Sequence, residues 1–266
     1  MPIAAGSSNK AKIAKRVIEV LEYFDDNHRE ATVMDIVRRY DRPQSSTSEL
    51  LSSLVELGLL YKDPYSRSYS LTPRAALLGT AGQTGLVRDG RLVKLVDRLA
   101  AQTGLSVAVF GMVGLNVQIV DWRLGARGYD GGLLGGTKTP LAFSAAGWLL
   151  LSTISQPRRD GVVRRLIAEA PENRKFGFAE MSETLRQCHD LGHAAGPLGF
   201  GIEGETLSVL LPGTEPAHPL AIGFVYPTDA GAKTPALVDC LNDAMRHCLV
   251  CEDQPSGEVK VLQAVA

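Results

Sequence analysis

The sequence contains little cysteine, few aromatic residues and almost no net charge. Four cysteines in 266 residues are too few for a disulfide framework, so we expect reduced thiols and a cytoplasmic protein. The formal net charge is -1, which argues against a protein that coats nucleic acid without sequence preference. A sequence-specific DNA-binding protein remains possible, because the positive charge that it needs is local.

Long hydrophobic runs are also missing. The most apolar segment, 141–154, is interrupted by Ser144 and Gly147 and is too short to span a bilayer. Residues 1–12 contain no long apolar core, so we expect no signal peptide. With 45% hydrophobic and 21% charged residues, the composition is that of a globular protein whose length allows two domains.

The segment 43–73 is the most informative part of the sequence. At about 100° per residue, an apolar helical face is predicted, formed by Thr47, Leu50, Leu51, Leu54 and Leu57. Short polar side chains occupy the opposite face: Gln44, Ser45, Ser48, Glu49 and Ser52. Pro43 suits the first helical position and Gly58 suits the residue that ends the helix. The segment therefore begins with an amphipathic helix whose polar side is made of small hydrogen-bonding groups.

The residues around this helix complete a recognisable order of elements. A hairpin is predicted after it, with strands over 59–62 and 68–71 and a turn at 63–67. Before it, apolar residues at helical spacing predict a first helix up to Phe24, and Thr32 and Asp35 form a capping box for a second. This is the order of a winged helix-turn-helix, in which the recognition helix enters the major groove. A packing motif without a DNA role is the alternative.

Residues 1–73 resemble the DNA-binding domain of IclR-type bacterial transcriptional regulators. The similar residues are PQSSTSELLSSLVELGLL, the hairpin after them, and Leu71-Thr72-Pro73. The polar face, the hairpin tip and this resemblance together predict a set of DNA-binding residues: Arg42, Gln44, Ser45, Ser46, Ser48, Glu49, Ser52, Tyr65 and Arg67. Gln44 and Glu49 stand where the family often has basic residues, so the operator sequence stays open.

The remaining chain is predicted to be a linker and an α+β domain. Residues 74–104 are predicted to form the linker, with breaks at Gly79, Gly82 and Gly85 and a long helix over 86–104. In the resembling family a helix in this place links the domains and helps to dimerise; packing on its own domain is the alternative. Within residues 105–252, β-rich runs at 105–112 and 115–122 are joined by Val113-Gly114, and helices are predicted over 141–154, 161–170 and 179–191. Strands follow at 206–211 and 220–226, and a closing helix over 235–250 has an apolar stripe of Leu237, Leu241, Met245 and Leu249. This order predicts an antiparallel sheet with helices against it. It resembles the family's GAF-like effector domain, with 253–266 as a tail.

The segment PLAFSAAGWLLLS, at 140–152, is similar to a family segment that lines a small-molecule pocket. The resemblance implies a small-molecule effector of the organic-acid or aromatic class. An anionic effector also fits the helix start, because backbone N–H groups at the start of a helix bind anions. The predicted effector-binding residues are Gly135, Gly136, Ser144, Ala145, Ser208, Leu210, Gly223 and Val225. Ala142 and Trp148 replace the His and Lys that are common in the family. For each residue, a role in packing alone is the alternative.

Three other motifs in the sequence are typical of functions other than transcription regulation. The segment 131–139 nearly matches a phosphate-binding loop, but Thr137 stands at the lysine position. The G-x-G-x-x-G at 199–204 is followed by a strand-like run rather than a helix, so we interpret it as a flexible connection. Cysteine and histidine clusters at Cys188, His189 and His193 and at Cys248 and Cys251 could bind zinc or act as a redox switch.

The sequence therefore predicts a ligand-responsive transcriptional regulator. It has no G-x-S-x-G and no diagnostic carboxylate pair, so we expect no enzyme, and we expect no cofactor and no metal. The expected partners are a double-stranded DNA operator, a small-molecule effector and a second copy or three further copies of the chain, with no membrane. The alternative is a metabolic enzyme or a zinc- or redox-responsive protein that uses the Cys/His clusters.

Overall fold

The computed structural model describes residues 9–25, 28–79, 85–127, 129, 132–133, 135–214, 218–228 and 234–249. Gly131, Cys251 and the predicted tail 253–266 lie outside these residues. The chain forms two compact units, 1–83 and 84–266. Within the described residues, no helix is both long enough and apolar enough to cross a bilayer.

Unit 1 is a three-helix domain followed by a two-stranded hairpin. Its elements are α1 (Asn9–Tyr23), α2 (Val33–Tyr40), α3 (Gln44–Glu56), β1 (Leu60–Lys62), β2 (Tyr69–Leu71) and α4 (Pro73–Leu77). The strands β1 and β2 are antiparallel, and a further bridge joins Ala31 to Tyr69. Leu51, Leu54 and Tyr69 are at most 1% exposed and form the centre of one core with Val20 and Ile36. The winged helix-turn-helix order is therefore present.

The start of α2 shows how local sequence fixes this unit. The backbone N–H of Thr32 donates to Asp35 Oδ2 at 2.8 Å, and the backbone N–H of Asp35 donates to Thr32 Oγ1 at 3.4 Å. The predicted capping box is thus confirmed. The pKa of the Asp35 carboxyl is lowered because the carboxylate accepts from the Thr32 backbone N–H and from the Thr32 hydroxyl, whose Oγ1 lies 2.7 Å from Oδ2. At the other end, Asp41 adopts a left-handed conformation with φ of 48° and turns the chain sharply towards α3.

Two details of α3 differ from the prediction. Pro43 is the N-cap residue, one position before the helix. Leu57, which was predicted to lie on the apolar face, is 60% exposed. It is the C-cap residue, and the chain leaves the helix at Gly58, whose φ is 70°. Leu59, which is 8% exposed, therefore fills the core instead of Leu57.

Unit 2 is a six-stranded antiparallel sheet with helices on both faces, which confirms the predicted antiparallel sheet with helices against it. Its strands are β3 (Ser106–Val113), β4 (Asn116–Arg123), β5 (Lys138–Pro140), β6 (His193–Gly199), β7 (Ile202–Leu210) and β8 (Leu220–Tyr226). They have the order β5-β4-β3-β8-β7-β6 in the sheet. Its helices are α5 (Gly85–Arg88), α6 (Arg91–Thr103), α7 (Ala145–Ser152), α8 (Gln156–Glu169), α9 (Phe178–Leu191) and α10 (Thr234–Leu249), with 3-10 turns at Leu141–Phe143 and Glu172–Arg174.

Alternation along the strands sends side chains to two separate cores. Ala221 and Val225 of β8 pack with α7, α8 and α9. Ile222 and Phe224 pack with α6 and α10 on the other face. A central strand whose two faces are both covered is therefore apolar throughout, which is why β8 was recognisable in the sequence.

Three predicted elements of unit 2 need correction. The single helix predicted over 86–104 is two helices, because Gly90 adopts a left-handed conformation with φ of 71° between them. Helix α8 begins at Gln156 rather than at 161, with Pro157 in its first turn. The G-x-G-x-x-G segment is a hairpin: Gly199 ends β6, Phe200 and Gly201 turn, and β7 begins at Ile202.

Candidate nucleic-acid interface and effector pocket

The polar face of α3 is exposed to solvent while its other face anchors the helix. Thr47, Leu51 and Leu54 are buried, and Thr47 Oγ1 donates to the carbonyl of Pro43 at 2.9 Å. The exposed residues of the predicted interface on this helix are Gln44, Ser45, Glu49 and Ser52; Ser46 and Ser48 are half-buried. The hydroxyl of Ser46 also donates to the carbonyl of Pro43, at 3.2 Å. The structure thus presents four predicted side chains on one rigidly held helix.

Arg42 is placed differently from the other predicted DNA-binding residues. Its guanidinium Nη2 lies 2.5 Å from Glu19 Oε2 of α1, and both side chains are mostly shielded from solvent. The hydroxyl of Tyr40 donates to the backbone carbonyl of the same Glu19 at 2.7 Å. These contacts tie the turn before α3 to α1, so the structure gives Arg42 a positioning role. Contact of Arg42 with DNA stays a prediction.

The hairpin tip holds the other two predicted DNA-binding residues. Asp63 Oδ1 accepts hydrogen bonds from the backbone N–H groups of Ser66 and Tyr65, at 2.9 and 2.7 Å, and these bonds lower the pKa of the Asp63 carboxyl. Tyr65 is 95% exposed, and Arg67 is exposed with φ of 58°. The structure therefore holds both side chains at the tip of an ordered turn, open to a partner.

In unit 2, the predicted effector-binding residues Ser144 and Ala145 form the start of α7. Ser144 is the N-cap residue with extended backbone, and both residues are fully buried. Within the described residues, Ser144 Oγ is a buried polar atom without a hydrogen-bond partner. A buried hydroxyl without a partner has a free-energy cost, so a ligand atom that bonds it would be stabilised there.

The predicted sheet residues lie on the face that packs against α7. Leu210 and Val225 belong to that core, and a Cβ added to Gly223 would lie 2.3 Å from Ser208 Oγ, so Gly223 leaves room for this hydroxyl. Ser208 Oγ and Thr206 Oγ1 are 3.1 Å apart, and Thr206 Oγ1 donates to the carbonyl of Phe224 at 2.9 Å. Ser208 and Thr206 are both fully buried.

The structure does not bring Gly135 and Gly136 to this buried group. Both glycines are exposed in the turn before β5. The backbone N–H of Gly136 donates to the carbonyl of Ile119 at 2.8 Å, and its carbonyl accepts from Gln118 Nε2 at 3.1 Å. Gly136 is therefore bound to β4, and a role of either glycine in ligand binding remains a prediction.

Sequence reasoning missed several residues beside Ser144. Gly199 lies so close that a Cβ there would be 2.8 Å from the carbonyl of Phe143 and 3.2 Å from Ser144 Cβ. Next to it, the rings of Phe200 and Phe110 stack with centroids 6.3 Å apart. Thr206 could have been found, because it alternates with Ser208 on one strand face. Phe110 and Phe200 are joined only by sheet pairing across the fold, which no local pattern reveals.

The predicted cluster of Cys188, His189 and His193 does not lie on one helical face, because α9 ends at Leu191 and His193 begins β6. Cys188 points into the core and burial raises the pKa of its thiol to about 11. The side chain of His189 is 68% exposed, beside Asp190. Across the described parts of the chain, no group of three or more His, Cys, Asp or Glu side chains is suited to a metal. The motif Cys248-x-x-Cys251 is only half described, since Cys251 lies outside.

Comparison with known proteins agrees with this architecture. Residues 14–64 match the family model of the IclR helix-turn-helix domain. None of the curated proteins compared with the chain matches it. This match confirms the predicted helix-turn-helix fold of the N-terminal domain. Solved structures with the same fold confirm the α+β fold of the sheet domain.

Three solved structures share the fold. An IclR homologue from Microbacterium hydrocarbonoxydans, complexed with 4-hydroxybenzoate, is 19% identical with a TM-score of 0.57 over 88% of this chain and 95% of that chain. A transcriptional regulator from Alicyclobacillus acidocaldarius is 20% identical with a TM-score of 0.56, over 91% and 98%. An effector domain of a regulator described as IclR, from Acinetobacter sp. ADP1, is 21% identical with a TM-score of 0.55, over 61% and 96%.

Proposed function

We propose that the chain is a DNA-binding transcriptional regulator of the IclR type, because residues 14–64 match the IclR helix-turn-helix domain, and that a small metabolite bound in unit 2 controls its operator binding. The observation on which the proposal mainly rests is the polar face of α3. Its exposed residues are short, and the helix is anchored by Leu51 and Leu54. A helix of this kind enters the major groove with its N-terminal residues towards the bases.

Each part of the interface has a chemical role in this proposal. Gln44 bonds an adenine edge, and Glu49 accepts from a cytosine amino group. The hydroxyls of Ser45 and Ser48 form hydrogen bonds with base edges and phosphates. At the hairpin tip, Arg67 and Tyr65 contact the DNA backbone. Two recognition helices from a homodimer, or from a dimer within a tetramer, read two half-sites in the cytoplasm.

The effector would occupy the buried group at the start of α7. The unpartnered Ser144 Oγ and the hydroxyl pair of Ser208 and Thr206 offer hydrogen bonds there. The backbone N–H groups at the helix start favour a carboxylate. This chemistry supports an organic-acid or aromatic effector, and a protein with the same fold was solved with 4-hydroxybenzoate, a carboxylate on a ring.

The DNA-binding part is tested by selecting bound fragments from a genomic library and then measuring variants on the recovered sequence. The double variant Ser45→Ala with Ser48→Ala should lose specific affinity by about tenfold or more, since a good base contact is worth about 1–3 kcal/mol. Ser53→Ala is the matched control, because Ser53 lies off the polar face and its hydroxyl donates to the carbonyl of Glu49. Unchanged specific binding in the double variant would show that the polar face is not the reading face.

The effector part is tested with Ser144→Ala and 4-hydroxybenzoate as the probe. Because the variant removes a buried hydroxyl without a partner, its thermal stability should equal or exceed that of the wild type. Its release from DNA on addition of the probe should nevertheless be weakened. Release identical to that of the wild type would exclude Ser144 from the effector pocket, whereas no release from either protein would exclude this compound as an effector.

A further inference from the structure

A cavity of about 280 Å³ lies between α7, α9 and the loop around Phe176, apart from the buried hydroxyls of the proposed effector pocket. Its lining includes Phe143, Trp148, Arg174, Lys175, Phe176 and Glu180. None of the strand residues assigned to the effector pocket lines it. The cavity is thus a second place where a small molecule could be bound in unit 2.

The aromatic walls of this cavity are held in fixed positions. Trp148 Nε1 donates to the carbonyl of Ala142 at 2.8 Å, which fixes the plane of the indole. The rings of Phe143 and Phe176 meet edge to face, with centroids 6.2 Å apart and an interplanar angle of 86°. Aromatic rings prefer such offset and perpendicular contacts. A flat aromatic ligand would therefore find walls that need little rearrangement.

The positive charge of the cavity comes from two neighbouring residues. The guanidinium carbon of Arg174 lies 3.8 Å from the centroid of the Phe143 ring. Of the described carboxylates, none lies within 4.0 Å of this guanidinium. Lys175 is engaged by Glu172, at 3.2 Å. A guanidinium stacked on a ring keeps its N–H edge available, and that edge matches a carboxylate with two parallel hydrogen bonds.

We propose that this cavity binds a monocyclic aromatic carboxylate, with the ring against Trp148 and Phe176 and the carboxylate on Arg174. The size fits, because an engineered apolar cavity of about 150 Å³ binds benzene and 280 Å³ leaves room for the acid group. This cavity is a different site from the proposed effector pocket, whose strand residues do not line it. Since Ala142 and Phe143 directly precede Ser144, the occupant touches the segment that begins α7.

The test uses the fluorescence of Trp148 with benzoate as the probe. The chain has two tryptophans, so Trp122→Phe leaves Trp148 as the sole reporter. We expect benzoate to change its emission saturably and benzyl alcohol, which has no charge, to bind at least about tenfold more weakly. Calorimetry on the chain with both tryptophans provides the same affinities if Trp122→Phe fails to fold.

Variants separate this site from the effector pocket. Arg174→Gln should weaken benzoate binding by about tenfold or more, whereas Arg186→Gln, an exposed arginine of α9 paired with Glu183, should leave it unchanged. Ser144→Ala should leave the emission change of Trp148 unchanged, because Ser144 does not line this cavity. Equal benzoate affinity in Arg174→Gln and the wild type would overturn the inference. Loss of binding in Ser144→Ala alone would place benzoate in the effector pocket, which overturns this inference and supports the proposed function.

Discussion

Replacing Gly147 with alanine should destabilise unit 2, even though alanine is the better helix former. Gly147 lies inside α7. An added Cβ would be 2.2 Å from the carbonyl oxygen of Leu141 and 2.8 Å from its Cα. Both are backbone atoms of a fully buried residue, so no side-chain rotation relieves the clash. The 3-10 turn before α7 has to move away from the helix.

The expected size follows from two opposing terms. Alanine gains about 1 kcal/mol over glycine in a helix interior. Overpacking a core costs about 1–3 kcal/mol, and more when backbone must shift. At this contact distance we expect an overpacking cost of about 3 kcal/mol. After the gain of about 1 kcal/mol from alanine, the free energy of unfolding should fall by about 2 kcal/mol. The same displacement would move Ser144, so the effector response should weaken as well.

Gly161 of α8 provides the matched control. It is also a helix-interior glycine, but an added Cβ meets nothing within 4 Å. Gly161→Ala should therefore stabilise by about 0.5–1 kcal/mol. Urea unfolding followed by tryptophan fluorescence measures unit 2 selectively, because Trp122 and Trp148 are the two tryptophans of the chain. If the two variants shift the unfolding midpoint in the same direction and by similar amounts, the close backbone contact does not govern the packing of α7.

Two further predictions concern capping and thiol reactivity. Thr32→Ala should lower the free energy of unfolding of unit 1 by about 1 kcal/mol, since it removes an N-cap. Because the pKa of Asp35 is lowered in the folded protein, the stabilisation by its carboxylate is present at neutral pH and is lost as the pH falls through the folded pKa. The difference in stability between the wild type and Asp35→Asn, measured by urea unfolding with circular dichroism, should therefore shrink in acid. Iodoacetamide at mildly alkaline pH should alkylate Cys248 before Cys188, because burial raises the pKa of the Cys188 thiol to about 11. Mass spectrometry of peptides measures the two rates, and equal rates would mean that Cys188 is accessible.

Elements with complete local signals were predictable from the sequence. The capping box of Thr32 and Asp35 marked the start of α2. The stripe of Leu241, Met245 and Leu249 marked α10, and all three residues are buried. The paired runs around Val113 and Gly114 marked the hairpin of β3 and β4. In each case the residues that determine the element are neighbours in sequence, so the physical cause is visible there.

Elements that depend on distant partners were not predictable. Strand β6 has the sequence HAAGPLG, which lacks the β-branched and aromatic residues that favour strands. It forms because it pairs with β7 over most of its length. The buried group around Ser144 was only partly predicted for the same reason. Its serines were named from the sequence, but Phe110, Phe200 and Gly199 join them through the sheet.

The charge of the recognition helix determines how DNA affinity would respond to ionic strength. Helix α3 contains two glutamates and no lysine or arginine, and the guanidinium before it is held by Glu19. Release of condensed counterions accompanies each phosphate that a basic side chain neutralises. If α3 is the reading helix, it contributes almost nothing to that release. The salt-sensitive part of the affinity then comes from basic residues outside α3, such as Lys62 and Arg67 of the hairpin and the exposed Arg38 and Arg39 of α2. The salt-insensitive part comes from the hydroxyl and amide groups of the helix.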